Sequence, residues 1–149
     1  MEDLRQAAKD FMQGYDMFRR PVMKQFGLSA AQADILMFLV NNPQSNTAAQ
    51  LSSLLQMPKS QVSLAIAGLE RRGFILRESD RGNRIIRRLK VSDAAADAVG
   101  LGLEQQQKFF ACVFDGFDDV ELAQLSSMFE RMRENIKKAE SSERVASNG

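Results

Sequence analysis

A chain of 149 residues with 44% apolar side chains has material for one ordinary core, and a formal charge of +1 does not by itself indicate a polyanionic partner. With no histidine and only one cysteine, Cys112, it lacks an imidazole base, the usual zinc ligands and any internal disulfide, so no enzyme chemistry, metal or cofactor is expected. No stretch is apolar enough for a membrane span, and the opening Met1-Glu2-Asp3-Leu4 has no signal-peptide character; the expectation is a protein of the reducing cytoplasm.

The first element is a helix whose Leu4, Ala8, Phe11, Tyr15, Phe18 and Val22 alternate steps of four and three along one apolar stripe. Pro21 removes a backbone donor and predicts a kink or a fresh start there. Ser29-Ala30-Ala31-Gln32 has capping-box spacing and opens a helix burying Ile35, Leu36, Phe38 and Leu39, which Asn41-Asn42-Pro43 stops. Thr47-Ala48-Ala49-Gln50 repeats the box before a shorter helix with Leu51, Leu54 and Leu55 inside. Pro58 suits the first turn of a further helix through Arg72, whose inner face is Val62, Ala65, Ile66 and Leu69, and Gly73 supplies a left-handed stop.

Two strand-like runs flank the turn-forming Asp80-Arg81-Gly82-Asn83 and predict a hairpin. Along residues 85–91 the pleat sets Ile85, Arg87, Leu89 and Val91 on one face and Ile86, Arg88 and Lys90 on the other. Asp93 to Phe114 reads as a long helix with Val99, Leu103, Phe110 and Phe114 on one face, and Gly100 and Gly102 predict a bend or a close helix approach. Asp118 and Glu121, at capping-box spacing, open a last helix with the stripe Leu122, Leu125, Phe129, Met132 and Ile136. Residues 141–149 have no periodicity and are expected to be disordered.

Charge is unevenly spread along these elements. Between Lys59 and Lys90 nine bases face three acids, a net charge of +6 that leaves the rest of the chain at −5. Two capped helices, a further helix and a basic hairpin are the order of a helix-turn-helix with a wing, and a local field of one sign concentrates phosphates. A hairpin that is merely solvated explains the charge alone less specifically. With Val62, Ile66 and Leu69 inward, the groove-facing set is Lys59, Ser60, Gln61 and Ser63, with Leu64 alongside. Glutamine matches adenine N6 and N7, lysine reaches guanine O6 and N7, and hydroxyls suit base or phosphate. In the wing, Arg77, Arg81, Arg84 and Arg88 are candidate phosphate contacts, with Arg81 or Arg84 nearest the turn and best placed for a minor groove. Arg87 shares a face with core residues and can pair with an acid instead. Thr47 can offer its helix N-terminus to a DNA phosphate, although capping also accounts for it.

The run Leu51-Ser52-Ser53-Leu54-Leu55-Gln56-Met57-Pro58-Lys59-Ser60-Gln61-Val62-Ser63, then Leu69-Glu70-Arg71-Arg72-Gly73-Phe74-Ile75 and a wing ending Leu89-Lys90-Val91-Ser92, resembles the MarR family of bacterial winged-helix transcriptional regulators. The resemblance covers roughly residues 5–139, and its specific part is 28–92. It departs in two places: Asn83 and Ile85 stand where many members carry an Asp-x-Arg pair in the wing, and Leu64 stands where a basic residue is common.

The resemblance implies a mainly α (α+β) fold, a winged helix-turn-helix at 28–92 with a two-stranded β wing and long N- and C-terminal dimerisation helices at 1–26 and 93–140. The stripes of the first and last helices either pack within one chain or intertwine with a second copy. The resemblance favours a homodimer with recognition helices roughly 34 Å apart over a pseudo-palindromic double-stranded operator. It also implies a repressor whose DNA affinity falls when a small aromatic or lipophilic effector fills a cleft, for which Phe11, Tyr15, Phe26, Met37, Phe109 and Phe110 are candidate lining residues. Two alternatives come from other classes. One is a winged-helix module that binds protein rather than DNA, favoured by Leu64 and the missing wing pair. The other is a redox-responsive regulator acting through Cys112, against which stands the expectation of a buried thiol beside Phe110 and Phe114.

Overall fold

The computed structural model describes residues 1–147 in the order α1 (Glu2–Phe26), α2 (Ala30–Asn41), α3 (Ala48–Leu54), α4 (Lys59–Arg71), β1 (Ile75–Ser79), β2 (Arg87–Val91), a 3-10 turn (Asp93–Ala95), α5 (Ala96–Val113) and α6 (Asp119–Ser147). The chain divides into two compact units, Met1–Val113 and a second that starts at Phe114. No described helix is long and apolar enough to cross a membrane.

Capping residues fix the helix starts in the first unit. Ser29 accepts from the Gln32 amide while the Gln32 side chain accepts from the Ser29 amide, and Thr47 and Gln50 do the same for α3, so both boxes satisfy backbone donors that would otherwise be orphaned. At the far end of α4, Gly73 adopts φ 71°, and the Phe74 amide reaches back to the Leu69 carbonyl at 2.9 Å while the Gly73 amide reaches Glu70 at 2.8 Å. This Schellman closure turns the chain straight into β1. The core beneath is aliphatic: Ile35, Leu36, Leu51, Ile66 and Leu69 are fully buried, joined by Val62 and Ile75. It joins α2, α3, α4 and the base of the hairpin into one body.

β1 and β2 pair antiparallel from Ile75 opposite Val91 to Ser79 opposite Arg87. The Leu89 amide donates to the Asn46 carbonyl at 2.8 Å, which ties the hairpin to the loop before α3. At the root, the Ser92 amide bonds the Phe74 carbonyl and its hydroxyl bonds that of Gly73.

Several expectations change. α1 runs through Pro21 without interruption; Pro21 is exposed, so water can reach the carbonyl that loses its donor. In α2 Met37 is buried and Phe38 only half-buried. Leu54 is 56% exposed because Leu51 and Leu55 take the core-facing line of a helix of only 7 residues. The strand after the turn begins at Arg87 rather than Ile85. Residues 80–86 instead form successive turns, with the Asp80 amide bonded to Ile86 and the Ile86 amide to Asn83.

The inner face of α5 is Ala98, Gly102 and Phe109, whereas Leu103 and Phe110 point outward. Two contacts select that face. Gly102 lets the helix lie on Met37, whose side chain a Cβ would strike, and the Phe109 ring enters among Phe11, Tyr15 and Phe18 with centroids 5.0, 5.6 and 5.7 Å away. The close approach expected at Gly102 is thus present. Cys112, expected to be buried beside Phe110 and Phe114, is instead exposed, because it lies past Phe109, the last buried residue of α5.

In the second unit the expected Asp118 and Glu121 box is formed, with amide-to-carboxylate bonds of 2.9 and 2.8 Å. Residues 141–147, expected to be disordered, continue α6: the Ser141 and Ser142 hydroxyls bond the carbonyls of Lys137 and Lys138, and helix-forming Glu, Arg and Ala follow. The last two positions of that expectation, 148 and 149, lie outside the described residues.

Candidate nucleic-acid interface

The two parts of the interface differ in how they are built. On α4 the inward Val62, Ala65, Ile66 and Leu69 leave Lys59, Ser60, Gln61, Ser63 and Leu64 exposed, all five in the first half of the helix. No side chain caps its N-terminus, where Pro58 has no amide of its own, so the first-turn N–H groups point outward without an internal acceptor. A helix N-terminus in that state attracts an anion. The recognition set read from the sequence therefore lies together on an accessible surface.

The hairpin arginines differ in the partners they find. Within the paired strands, Arg77 forms an ion pair with Glu70 of α4, and Arg88, opposite Glu78, bonds Asn46 Oδ1 at 3.0 Å and Asp80 at 3.5 Å. Arg87 bonds the Ser79 hydroxyl at 3.1 Å across the strand pair, not the acid expected for it. Arg81 and Arg84, in the turns at the tip, are exposed and make no ion pair among the described residues. Ile85 beside them is 89% exposed, its amide held by Asn83 Oδ1 at 3.0 Å. Sequence pattern could not separate these roles, because the partners of Arg77 and Arg88 come from α4 and from the loop before α3.

Thr47 is half-buried, and its hydroxyl is engaged with Gln50 at 3.0 and 3.2 Å. Only its helix end, not its hydroxyl, is available to a phosphate. Arg72, which sequence reasoning left without a role, lies over the Phe74 ring at 4.7 Å and bonds the Gly27 carbonyl at 3.4 Å, bracing the turn after α4.

The proposed effector-lining residues do not stay together. Tyr15, Met37 and Phe109 line a cavity between α1, α2 and α5, along with Phe18. Phe26 packs against the main core instead, and Phe11 and Phe110 stack on Phe109 from outside the lining. The cavity holds about 20 Å³, room for one water. Its polar wall is a cluster that sequence reasoning missed: Arg19 pairs with Asp16 and with Asp34, the latter at 2.7 Å, while Arg19 Nε and Asp34 Oδ1 are buried without a hydrogen-bond partner. Burial pushes the Asp34 carboxyl up against the opposing pull of Arg19, and also raises the Tyr15 phenol, whereas the bond from Arg19 holds Asp16 below the usual range. No cluster of acids, cysteines or histidines among the described residues could hold a metal ion.

The family model described as MarR family matches residues 26–85, from the end of α1 to the tip of the hairpin. No curated protein matches the sequence. Among solved structures, a MarR family transcriptional regulator from Listeria monocytogenes complexed with 26mer DNA has a TM-score of 0.76 at 21% identity, over 89% of this chain and 87% of that one. A MarR protein from Peptoclostridium difficile has 0.74 at 21%, over 93% and 89%, and the S. aureus MepR-DNA complex has 0.70 at 18%, over 89% and 93%. At such identities the likeness is one of fold, and it extends the match beyond residues 26–85 to the winged helix with its flanking helices.

Proposed function

We propose that this chain, whose residues 26–85 match the MarR family model, is a homodimeric, sequence-specific regulator of transcription that binds double-stranded DNA, acting as a repressor. The observation that carries this reading is the pairing of an exposed polar first half of α4 with a hairpin whose exposed tip arginines, Arg81 and Arg84, form no ion pair among the described residues. α4 enters a major groove, with Lys59, Ser60, Gln61 and Ser63 toward base edges, and the hairpin tip lies along the adjacent backbone and minor groove. Two of the relatives in fold were solved with DNA, which supports the same reading.

Dimerisation draws on the apolar side chains that neither unit covers by itself. Leu103 on α5 and Phe129, Met132 and Ile136 on α6 are each more than one-third exposed. A second copy that buries them sets two recognition helices about one DNA turn apart, and the site is then two-fold symmetric. An aromatic or lipophilic effector fits the reading if it enters beside Tyr15 and Phe109; the cavity of about 20 Å³ must widen to admit it, so binding would favour a dimer geometry that misfits the half-site spacing.

Selection of bound duplexes from a random pool, with affinities then measured across a salt series, tests the proposal. The expected result is a two-fold symmetric site whose affinity falls linearly on a log-log plot against salt. Absence of duplex affinity even at low salt would instead favour the protein-binding module that the exposed Leu64 and Ile85 suggest.

A further inference from the structure

The outward stripe of α4 takes positions i, i+3, i+4, i+7 and i+11, which are Ser60, Ser63, Leu64, Ala67 and Arg71, opposite the buried Val62, Ile66 and Leu69. Its side chains are short on both sides of the centre. Leu64, 71% exposed, therefore projects furthest from the middle of the helix and sets how closely it approaches any surface. The core does not ask for a leucine there. A glutamate, lysine or glutamine would serve the helix equally well without placing an apolar side chain in water.

Resting on the reading of α4 as the groove-entering helix, we propose that Leu64 is a specificity-determining residue that recognises the C5-methyl group of a pyrimidine, thymine in an unmodified duplex. The major-groove edges of the four base pairs present mainly acceptors and donors; beside the small C5–H of cytosine, the thymine methyl is the one apolar group that projects from that surface. A leucine pressed on any other position displaces water from a polar edge and offers no hydrogen bond in return, so those sequences are disfavoured. Against the methyl, the same leucine gains contact and leaves nothing unpaired.

Charge complements this placement. Exposed Lys59 and Arg71 stand near the two ends of the stripe, where the phosphate walls of a groove would lie, with the apolar centre over its floor. The position that loses a basic contact relative to the usual family pattern thus gains a different kind of reading.

The test uses the full-length protein and the site it selects from a random duplex pool. Each thymine is replaced in turn by deoxyuridine, which removes only the methyl. One position per half-site is expected to weaken binding about fourfold, the worth of one methyl buried against an apolar side chain. Placing 5-methylcytosine at that position should bind more tightly than cytosine, since both have the same hydrogen-bonding edge. Leu64→Ala should bind the thymine and deoxyuridine duplexes equally, while Leu64→Met, which keeps an apolar reach, should still distinguish them; circular dichroism confirms that both variants are folded. Tolerance of deoxyuridine at every position by the unaltered protein, or an undiminished deoxyuridine penalty in Leu64→Ala, overturns the assignment to Leu64 while leaving DNA binding intact. Failure to select any duplex overturns the DNA-binding reading itself.

Discussion

Arg19 in α1 donates to Asp34 at 2.7 Å and to Asp16, with its side chain only 20% exposed, whereas Arg81 and Arg84 at the hairpin tip are exposed and make no ion pair among the described residues. The guanidinium is the same in both places, and its surroundings decide what it does. Around Arg19 two carboxylates compensate the cost of taking charges partly out of water, so the cluster joins α1 to α2 and has little attraction left for an outside anion. At the tip the one nearby acid among the described residues, Asp80, is engaged by Arg88 rather than by Arg81 or Arg84, and a phosphate would be the first strong partner offered to them. Arg77 and Arg88 stand between these extremes, each paired with an acid but more than one-third exposed, so they brace the hairpin and retain some reach.

The sharpest test of this contrast removes the tip charges. Arg81→Ala with Arg84→Ala is expected to weaken duplex binding about a hundredfold or more, because each charge-assisted contact is worth about 1.5–3 kcal/mol. The salt slope should flatten by about one unit for each lost phosphate contact, and thermal stability should stay unchanged. Intact binding with a lowered melting temperature would place these arginines in the structural class with Arg19.

The converse variant is Arg19→Leu. It leaves Asp34, whose carboxyl burial already pushes up, without its main compensating charge, and should destabilise the fold by about 2 kcal/mol at pH 7. The sign with pH follows from the raised value: the penalty belongs to the charged carboxylate, so it is present at neutral pH, shrinks as pH falls through the folded-state pKa and is gone below about pH 4. Denaturation midpoints at several pH values would show this, and a penalty of constant size would point to lost packing rather than an unpaired charge. Duplex affinity, measured where the variant remains folded, should be unaffected. A smaller effect is expected from Arg88→Ala, which loosens the tie to Asn46 and Asp80 by about 1 kcal/mol in stability and a few-fold in binding.

Local chemistry made much of this molecule legible in the sequence. The boxes at Ser29, Thr47 and Asp118 and the stop at Gly73 involve residues only a few positions apart, and each is formed. What the sequence hid depends on distant partners. The apolar residues of α5 offer two faces, and Phe109 rather than Phe110 turns inward only because Gly102 sits on Met37 and three aromatic rings of α1 surround Phe109. The same holds for Arg19 and Asp34, 15 residues apart, which no helical period brings together. The exposed polar set at the start of α4 was legible because a single amphipathic helix contains both the buried and the exposed halves of the pattern.

Within that set, Gln61 should show the smallest effect and the most informative one. It is exposed near the start of α4 and carries no charge, so Gln61→Ala leaves the core, the hairpin and the net charge as they are. Under the proposed docking its amide bonds one base edge, adenine by preference, and its removal should cost about 1 kcal/mol on the selected site, roughly a fivefold loss, at the low end for a bidentate contact. On duplexes changed at that base pair it should cost nothing, so preference relaxes at a single position while the salt slope is unchanged. Arg84→Ala, by contrast, should weaken every duplex by a similar factor, because a phosphate carries no sequence. A Gln61→Ala variant that lowers affinity for all duplexes alike would move Gln61 from the groove floor to the backbone, and with it the depth at which α4 enters.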